Sequence, residues 1–333
     1  SGCLPLFYLE YYLWHTAYSG FGEPMFILTQ QMRMMKNIRN ISLVLLGICF
    51  FQCSTDNKEG AKDSATMGEI TLGVDESFEP LMKAEKTAFE EQYKYANIKY
   101  KFSPENEVIA DMLNDKIRGV VVTRDLTAKE KEIFTREAIT YRSFNIAADG
   151  IALLANKSNS DTLMTLAGLK DLILGTATKY TLVVDKANSS NLKFLLDKLK
   201  ISSSEKLHVV AAGSNPEVIN QVKNDPHMIG IIGSNWISDG DNPTSLGFIR
   251  SVNVMSVAES KGMPYSQPFG YNLALKKYPL RREIKYILKE AHQGLGTGFL
   301  NYVSGDLGQL IVLKAGLIPL TRPITIRTYQ ISQ

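Results

Sequence analysis

Past Cys53 the sequence contains no cysteine; Cys3, Cys49 and Cys53 are its only three among 333 residues. A body without thiols has no disulfide framework and no thiolate metal site. Histidine is nearly as sparse. His15, His208, His227 and His292 stand apart, none at an i, i+4 ligand spacing, so metal catalysis lacks support. Charge of one sign is also missing: 37 Lys and Arg against 34 Asp and Glu leave a net +3. With no basic run interleaved with aromatics, nucleic acid is not an expected partner. Gly-x-Ser-x-Gly and P-loop motifs are absent, and nothing calls for a cofactor. What remains is 44% hydrophobic and 21% charged, a globular composition long enough for two domains.

The front of the chain is distinct. Arg33, Lys36 and Arg39 precede an apolar run at 41–51 that ends at Gln52 and Cys53. A basic segment followed by an apolar one too short for a comfortable membrane span reads as a signal peptide. Cysteine at its end, followed by the polar stretch Ser54-Thr55-Asp56-Asn57, resembles a bacterial lipoprotein signal, in which Cys53 carries lipid and anchors the protein to a membrane. A plain signal peptide or single anchor helix is the alternative. Residues 1–31 are rich in Tyr and Phe and begin with Ser, whereas Met32, Met34 and Met35 are plausible starts. The expected layout is an upstream segment at 1–31, a signal at 32–53, a solvated linker at 54–67, and then the folded body.

In the body, strand-like 70–74 runs into a loop at 75–79, and Pro80 suits a first helical turn. Leu81, Ala84, Ala88 and Tyr93 form the apolar face of that helix. A strand at 98–102, a helix starting after Pro104, and the short apolar strand 119–122 follow. This β-α-β-α-β order argues for an α/β open sheet, whose ligands sit beyond the carboxyl ends of the strands. Ser77, Phe78, Thr123 and Arg124 fall there. A second α/β unit begins with the strand at 146–154 and includes strands at 181–184, 208–211 and 228–232. A strand at 268–275 returns to the first unit, followed by helices at 282–292, 298–303 and 304–314. Gly294-Leu295-Gly296-Thr297-Gly298 is read as a helix stop because it follows a presumed helix.

The loop after 181–184 organises the second unit. Ser189, Ser190 and Asn191 are good N-cap types, and Leu192, Leu195, Leu196 and Leu199 then recur at helical spacing. Unpaired N–H groups and partial positive charge at a helix start, beside hydroxyls and an amide, make an oxyanion cradle. The plainer reading is an ordinary helix cap.

Six blocks, in order, resemble the phosphate-binding-protein family of periplasmic solute receptors. They are Gly73 to Leu81; Val122 to Thr127; Ala148-Asp149-Gly150-Ile151-Ala152; Asn188-Ser189-Ser190-Asn191; Gly213-Ser214-Asn215 with Ile229-Gly230; and a C-terminal block from Tyr278-Pro279 to Pro319-Leu320. The resemblance spans about 68–322. It implies an α/β, two-lobed type II fold, each lobe an open, mostly parallel sheet with flanking helices, joined by two crossover strands. Lobe I would be 68–147 plus 265–333, and lobe II 148–264, with closure through Asp149-Gly150 and the strand at 268–275.

The resemblance further implies a monomeric, lipid-anchored envelope protein that captures phosphate or a similar oxyanion. It would deliver that ligand to the membrane permease and ATPase of an importer. Ser77 and Phe78 would contribute from lobe I with Thr123 and Arg124, and Asn188, Ser189, Ser190 and Asn191 would close from lobe II. The family often carries Arg four residues before its loop serine, where this chain has Asp185. Arg124 is either the replacement charge or a surface ion pair. Two rivals stand beside the receptor: an envelope sensor or interaction protein on the same scaffold with little ligand, and an acyl enzyme suggested by Ser190-x-x-Lys193. The enzyme's companion Ser-Asp-Asn and Lys-Thr-Gly motifs are missing.

Overall fold

The computed structural model describes residues 63–202, 204–290 and 292–322. The signal segment, the proposed lipid site Cys53 and most of the linker therefore lie outside the described residues. Chain order is β1 (Met67–Asp75), a single 3₁₀ turn (Glu76–Phe78), α1 (Glu79–Gln92), β2 (Tyr95–Ser103), α2 (Glu105–Leu113), β3 (Gly119–Val122), α3 (Ala128–Arg136) and β4 (Arg142–Asn156). Next come β5 (Leu163–Thr165), α4 (Leu166–Leu174), β6 (Thr181–Val184), α5 (Ser190–Leu199), β7 (Val209–Ala211), α6 (Asn215–Asn224) and β8 (Met228–Gly233). A 3₁₀ turn (Ser234–Trp236), α7 (Pro243–Ser251), β9 (Val252–Val254), β10 (Ser256–Ala258), α8 (Gly270–Ala274), β11 (Arg281–Leu288), α9 (Leu295–Ser304), α10 (Asp306–Lys314) and β12 (Ile318–Pro319) complete it.

One strand, β4, is paired into the sheets of both lobes. Strand β4 pairs antiparallel with β11 over 142–150 and with β8 over 151–155. The strand path is β2-β1-β3-β11-β4-β8-β6-β7. Strands β1, β2 and β3 are parallel, as are β6, β7 and β8. Burial on both faces explains why 119–122 is all Gly and Val and wholly buried. Phe78, Phe89, Ile146, Tyr286 and Phe299 fill one face of the lobe I sheet, and Val108, Val120, Phe134 and Ile287 the other. In lobe II, Leu169, Leu195 and Ile231 form one core layer, and Val183, Val218 and Ile232 the opposite one.

Several expectations are corrected. The strand expected at 268–275 is the short helix α8, and the helix expected at 282–292 is strand β11. The cause is visible in burial. Arg282, Ile284 and Tyr286 are buried alternately with half-exposed Arg281, Glu283 and Lys285, a period of two. Leu273, Tyr278 and Leu280 belong to the lobe II core, so the return to lobe I runs through 278–281. On α1 the buried face is Leu81, Met82, Glu85 and Phe89, while Ala84 is exposed and Ala88 half-buried. The apolar stripe was displaced because a buried glutamate occupies one of its positions.

The Gly294–Gly298 segment starts α9 instead of stopping a helix. Its backbone donors are taken internally: Asp63 accepts from Leu295 N, and Glu290 accepts from Gly296 N and Thr297 N. The glycines answer a packing demand. A Cβ on Gly298 would stand 1.7 Å from the carbonyl oxygen of Ala65. Residues 63–65 thus pack against the body instead of running as a solvated linker, while Thr66 is exposed. Gly298→Ala must displace that segment and is expected to cost about 2–3 kcal/mol, read as a lower urea midpoint at unchanged m-value.

Candidate functional site

The end of β1 and the start of α5 meet where the lobes face each other. Ser77 Oγ donates to Asn191 Oδ1 at 3.0 Å and lies 3.3 Å from Ser190 Oγ. Ser190 Oγ donates to Asp75 Oδ1 at 2.8 Å. All four side chains are at most 2% exposed. Their placement follows from local rules: Asp75 ends β1, and Ser190 opens a helix capped by Ser189, whose Oγ accepts from Leu192 N. Ser189 therefore serves as the cap, and Ser190 and Asn191 carry the polar face into the cluster.

The cationic partner comes from β11. Arg282 Nε and Nη2 donate to the two oxygens of Asp149 at 2.8 and 3.0 Å, and Nη1 donates to Ser190 Oγ at 3.4 Å. Its guanidinium lies over the Phe78 ring, 5.0 Å from the centroid. Both members of the pair are buried, and the fork-to-fork geometry marks an ionised, hydrogen-bonded pair. Burial pushes Asp149 up and Arg282 partly opposes it. Burial also pushes Asp75 up to about 6, Arg282 pulling it back and Glu105 adding to the rise.

Below the cluster, Asn191 Nδ2 donates to Asp185 Oδ2 and Asn215 Oδ1, and Asn215 Nδ2 donates to Asp185 Oδ2, each at 3.3 Å. From the other side, Asn235 Nδ2 donates to the Ser77 carbonyl at 3.3 Å, and Ser234 Oγ accepts from Gly150 N at 3.2 Å. Asp185, standing where the family often has Arg, thus orients amides. A groove of about 560 Å³ beside the cluster, between α1, α10 and the 234–236 turn, has Trp236 and Phe248 in its wall but none of Ser77, Ser190 or Asn191.

Ser77, Phe78, Ser190 and Asn191 are brought together; the remaining candidates lie outside the cluster. Thr123 donates its N–H and hydroxyl to Glu105 Oε2, both at 2.6 Å. Arg124 makes a two-pronged pair with Glu130 at 2.8 and 2.9 Å and reaches Glu105 at 3.3 Å, so it is an ion pair within lobe I. Its bond to Glu130 holds that carboxyl down at about 2. Asn188 is exposed and donates to Glu107 Oε1 across the cleft mouth at 3.2 Å, beside the Lys186–Glu76 pair at 2.6 Å. Arg282, Asp75, Asp149, Asn215 and Asn235 are additions. A charged residue in the buried phase of an alternating stretch was the available signal for Arg282. Among the described residues no group of three His, Cys, Asp or Glu is placed to hold a metal ion.

Two α/β lobes threaded by one shared strand, with a buried polar cluster between them, define the class of two-lobed binding proteins. The chain belongs to the PBP superfamily domain family, whose profile matches residues 59–306. No curated protein matches it in sequence. Among solved structures it is similar to a putative phosphate ABC transporter substrate-binding protein with bound phosphate from Clostridium perfringens. That match has 20% identity and a TM-score of 0.65, covering 76% of this chain and 100% of the other. It is also similar to an ABC-type phosphate transport receptor from Vibrio cholerae, at 17% identity and a TM-score of 0.59, covering 75% and 99%. The type II two-lobed fold expected from the motif order is the one found.

Proposed function

We propose that the protein is a lipid-anchored solute receptor of the cell envelope that captures phosphate or a related oxyanion for an ABC-type importer. The observation that carries this reading is the meeting of Ser77 from lobe I with Ser190 and Asn191 from lobe II, beside buried Arg282, with all four at most 3% exposed. Hydroxyl, amide and guanidinium donors from two lobes suit a small multivalent anion, and hinge closure would surround it. Arg282 supplies the charge that the Asp185 position lacks. The phosphate named for two similar structures points the same way. Cys53 and the segment before it supply the anchor in this reading. Among the described residues no helix is long and apolar enough to cross a membrane.

Thermal melts with phosphate, sulfate, molybdate and short organic acids test the ligand. A ligand at 100 times its Kd stabilises by about 2.7 kcal/mol, so the melting temperature is expected to rise with phosphate. Ser77→Ala with Ser190→Ala should remove that rise while the ligand-free protein still melts cooperatively. Absence of any rise at millimolar concentrations defeats the receptor reading. Mass spectrometry of the membrane fraction tests lipid on Cys53.

One observation favours a sensor or interaction protein as the second reading: the chain's own carboxylates, Asp75 and Glu105, already accept from Ser190, Ser77 N and Thr123. The acyl-enzyme idea has no assembled pair behind it. Ser190 Oγ is bonded to Asp75, and Lys193 Nζ reaches Asn106 Oδ1 at 3.4 Å.

A further inference from the structure

Asp75 gathers donors from three places. Its Oδ1 accepts from Ser77 N at 3.0 Å and from Ser190 Oγ at 2.8 Å, and its Oδ2 accepts from Glu105 N, the first residue of α2, at 3.1 Å. Two of these donors belong to lobe I and one to lobe II. Arg282, which also reaches Ser190, adds positive charge from β11. Of the donors that the receptor reading assigns to an external oxyanion, the Ser190 hydroxyl is thus already held by an internal carboxylate, together with the backbone N–H groups of Ser77 and Glu105.

We infer that the Asp75 side chain is a built-in surrogate ligand: it latches lobe I to lobe II through Ser190, and an external oxyanion must displace it to bind. The part concerning an external oxyanion rests on the receptor reading; the latch itself does not. The burial that makes the latch also strains it. Buried Asp75 faces Arg282 from β11 and Glu105 from α2, with Asp149 behind Arg282, and among the described residues its hydrogen-bond donor from lobe II is the Ser190 hydroxyl. Its carboxyl is pushed up to about 6, chiefly by burial. In an opened cleft it would return toward the ordinary carboxylate range, so closure takes up a proton. The latched state is therefore favoured at pH 5 and loosens as pH rises through 6 toward 8.

The test uses the full chain without added ligand. Small-angle scattering at pH 5, where the wild-type latch is closed, is expected to give a larger radius of gyration for Asp75→Ala than for wild type, and Ser190→Ala, which removes the lobe II donor, should expand in the same way. A cooperative melt certifies the fold of each variant, and if Asp75→Ala fails to fold, Ser190→Ala decides. Scattering identical to wild type from the folded variants overturns the latch. Titration with inorganic phosphate reads the other half separately. Asp75→Asn, which removes the competing charge, is expected to bind at least about tenfold more tightly than wild type; equal or weaker binding overturns the competition. Expansion of Asp75→Ala with no phosphate binding by any form keeps the latch and defeats the receptor reading.

Discussion

In Arg282→Ala, folding stability is expected to fall by about 3–5 kcal/mol, the cost of leaving a buried charge without its partner. The side chain forks onto Asp149, covers Phe78 and touches Ser190. Asp149 is wholly buried and loses both guanidinium hydrogen bonds when Arg282 is truncated. The decisive comparison is with Arg282→Met combined with Asp149→Leu, where neither charge remains. That double variant should be clearly more stable than Arg282→Ala, because apolar replacements carry no desolvation penalty. Urea unfolding of the set measures it. A single-variant loss below about 1 kcal/mol, the scale of a surface ion pair, would mean that the pair is not the buried unit described. On the receptor reading Arg282→Ala also loses phosphate-dependent stabilisation, whereas loss of the Arg124–Glu130 pair leaves it largely intact.

The second large effect is a gain. Glu85 lies in the lobe I core on α1, wholly buried, and neither carboxylate oxygen has a hydrogen-bond partner. Burial pushes its carboxyl well above the ordinary value. The native state therefore keeps a proton that the unfolded chain releases above its own carboxylate range. Stability falls as pH rises through that window, by up to about 1.4 kcal/mol per pH unit. Glu85→Gln has nothing to release. The two proteins should be of similar stability at pH 4, and the variant should be clearly the more stable at pH 7.5, the gap having widened as pH rises. Denaturation at the two pH values checks this; a difference that does not change with pH would show that Glu85 is ionised in the fold.

These two residues also show where sequence reading fell short. Continuous apolar strands such as 119–122 and 229–232, and polar loops between a strand and a leucine-spaced helix, are legible because one local rule fixes each. Ser77, Ser190 and Asn191 were found that way. Arg282 was hidden because Arg, Glu and Lys around Ile284 and Tyr286 suit a solvated helix face, and only pairing with β3 and β4 turns them into a strand. Glu85 shifted the apparent apolar stripe of α1 for the same reason, a charged type on a buried face. Arg124 misled in the opposite sense. It stands at a strand end where ligands gather, but its partners Glu105 and Glu130 come from neighbouring helices that no local pattern links to it.

The threading of β4 through both lobes bears on the order in which the chain can mature. The lobe II sheet is built from one uninterrupted stretch running from β4 to β9, so it has all its strands before β11 is made. Lobe I does not: its sheet has a gap between β3 and β4 until β11 arrives. Until then β3, paired only with β1, and the first half of β4 each present an open edge, a condition that invites association between nascent chains. Slow closure of this long loop should make late insertion of β11 the rate-setting event in refolding, and chaperone dependence should follow lobe I instead of the lobe that is finished first.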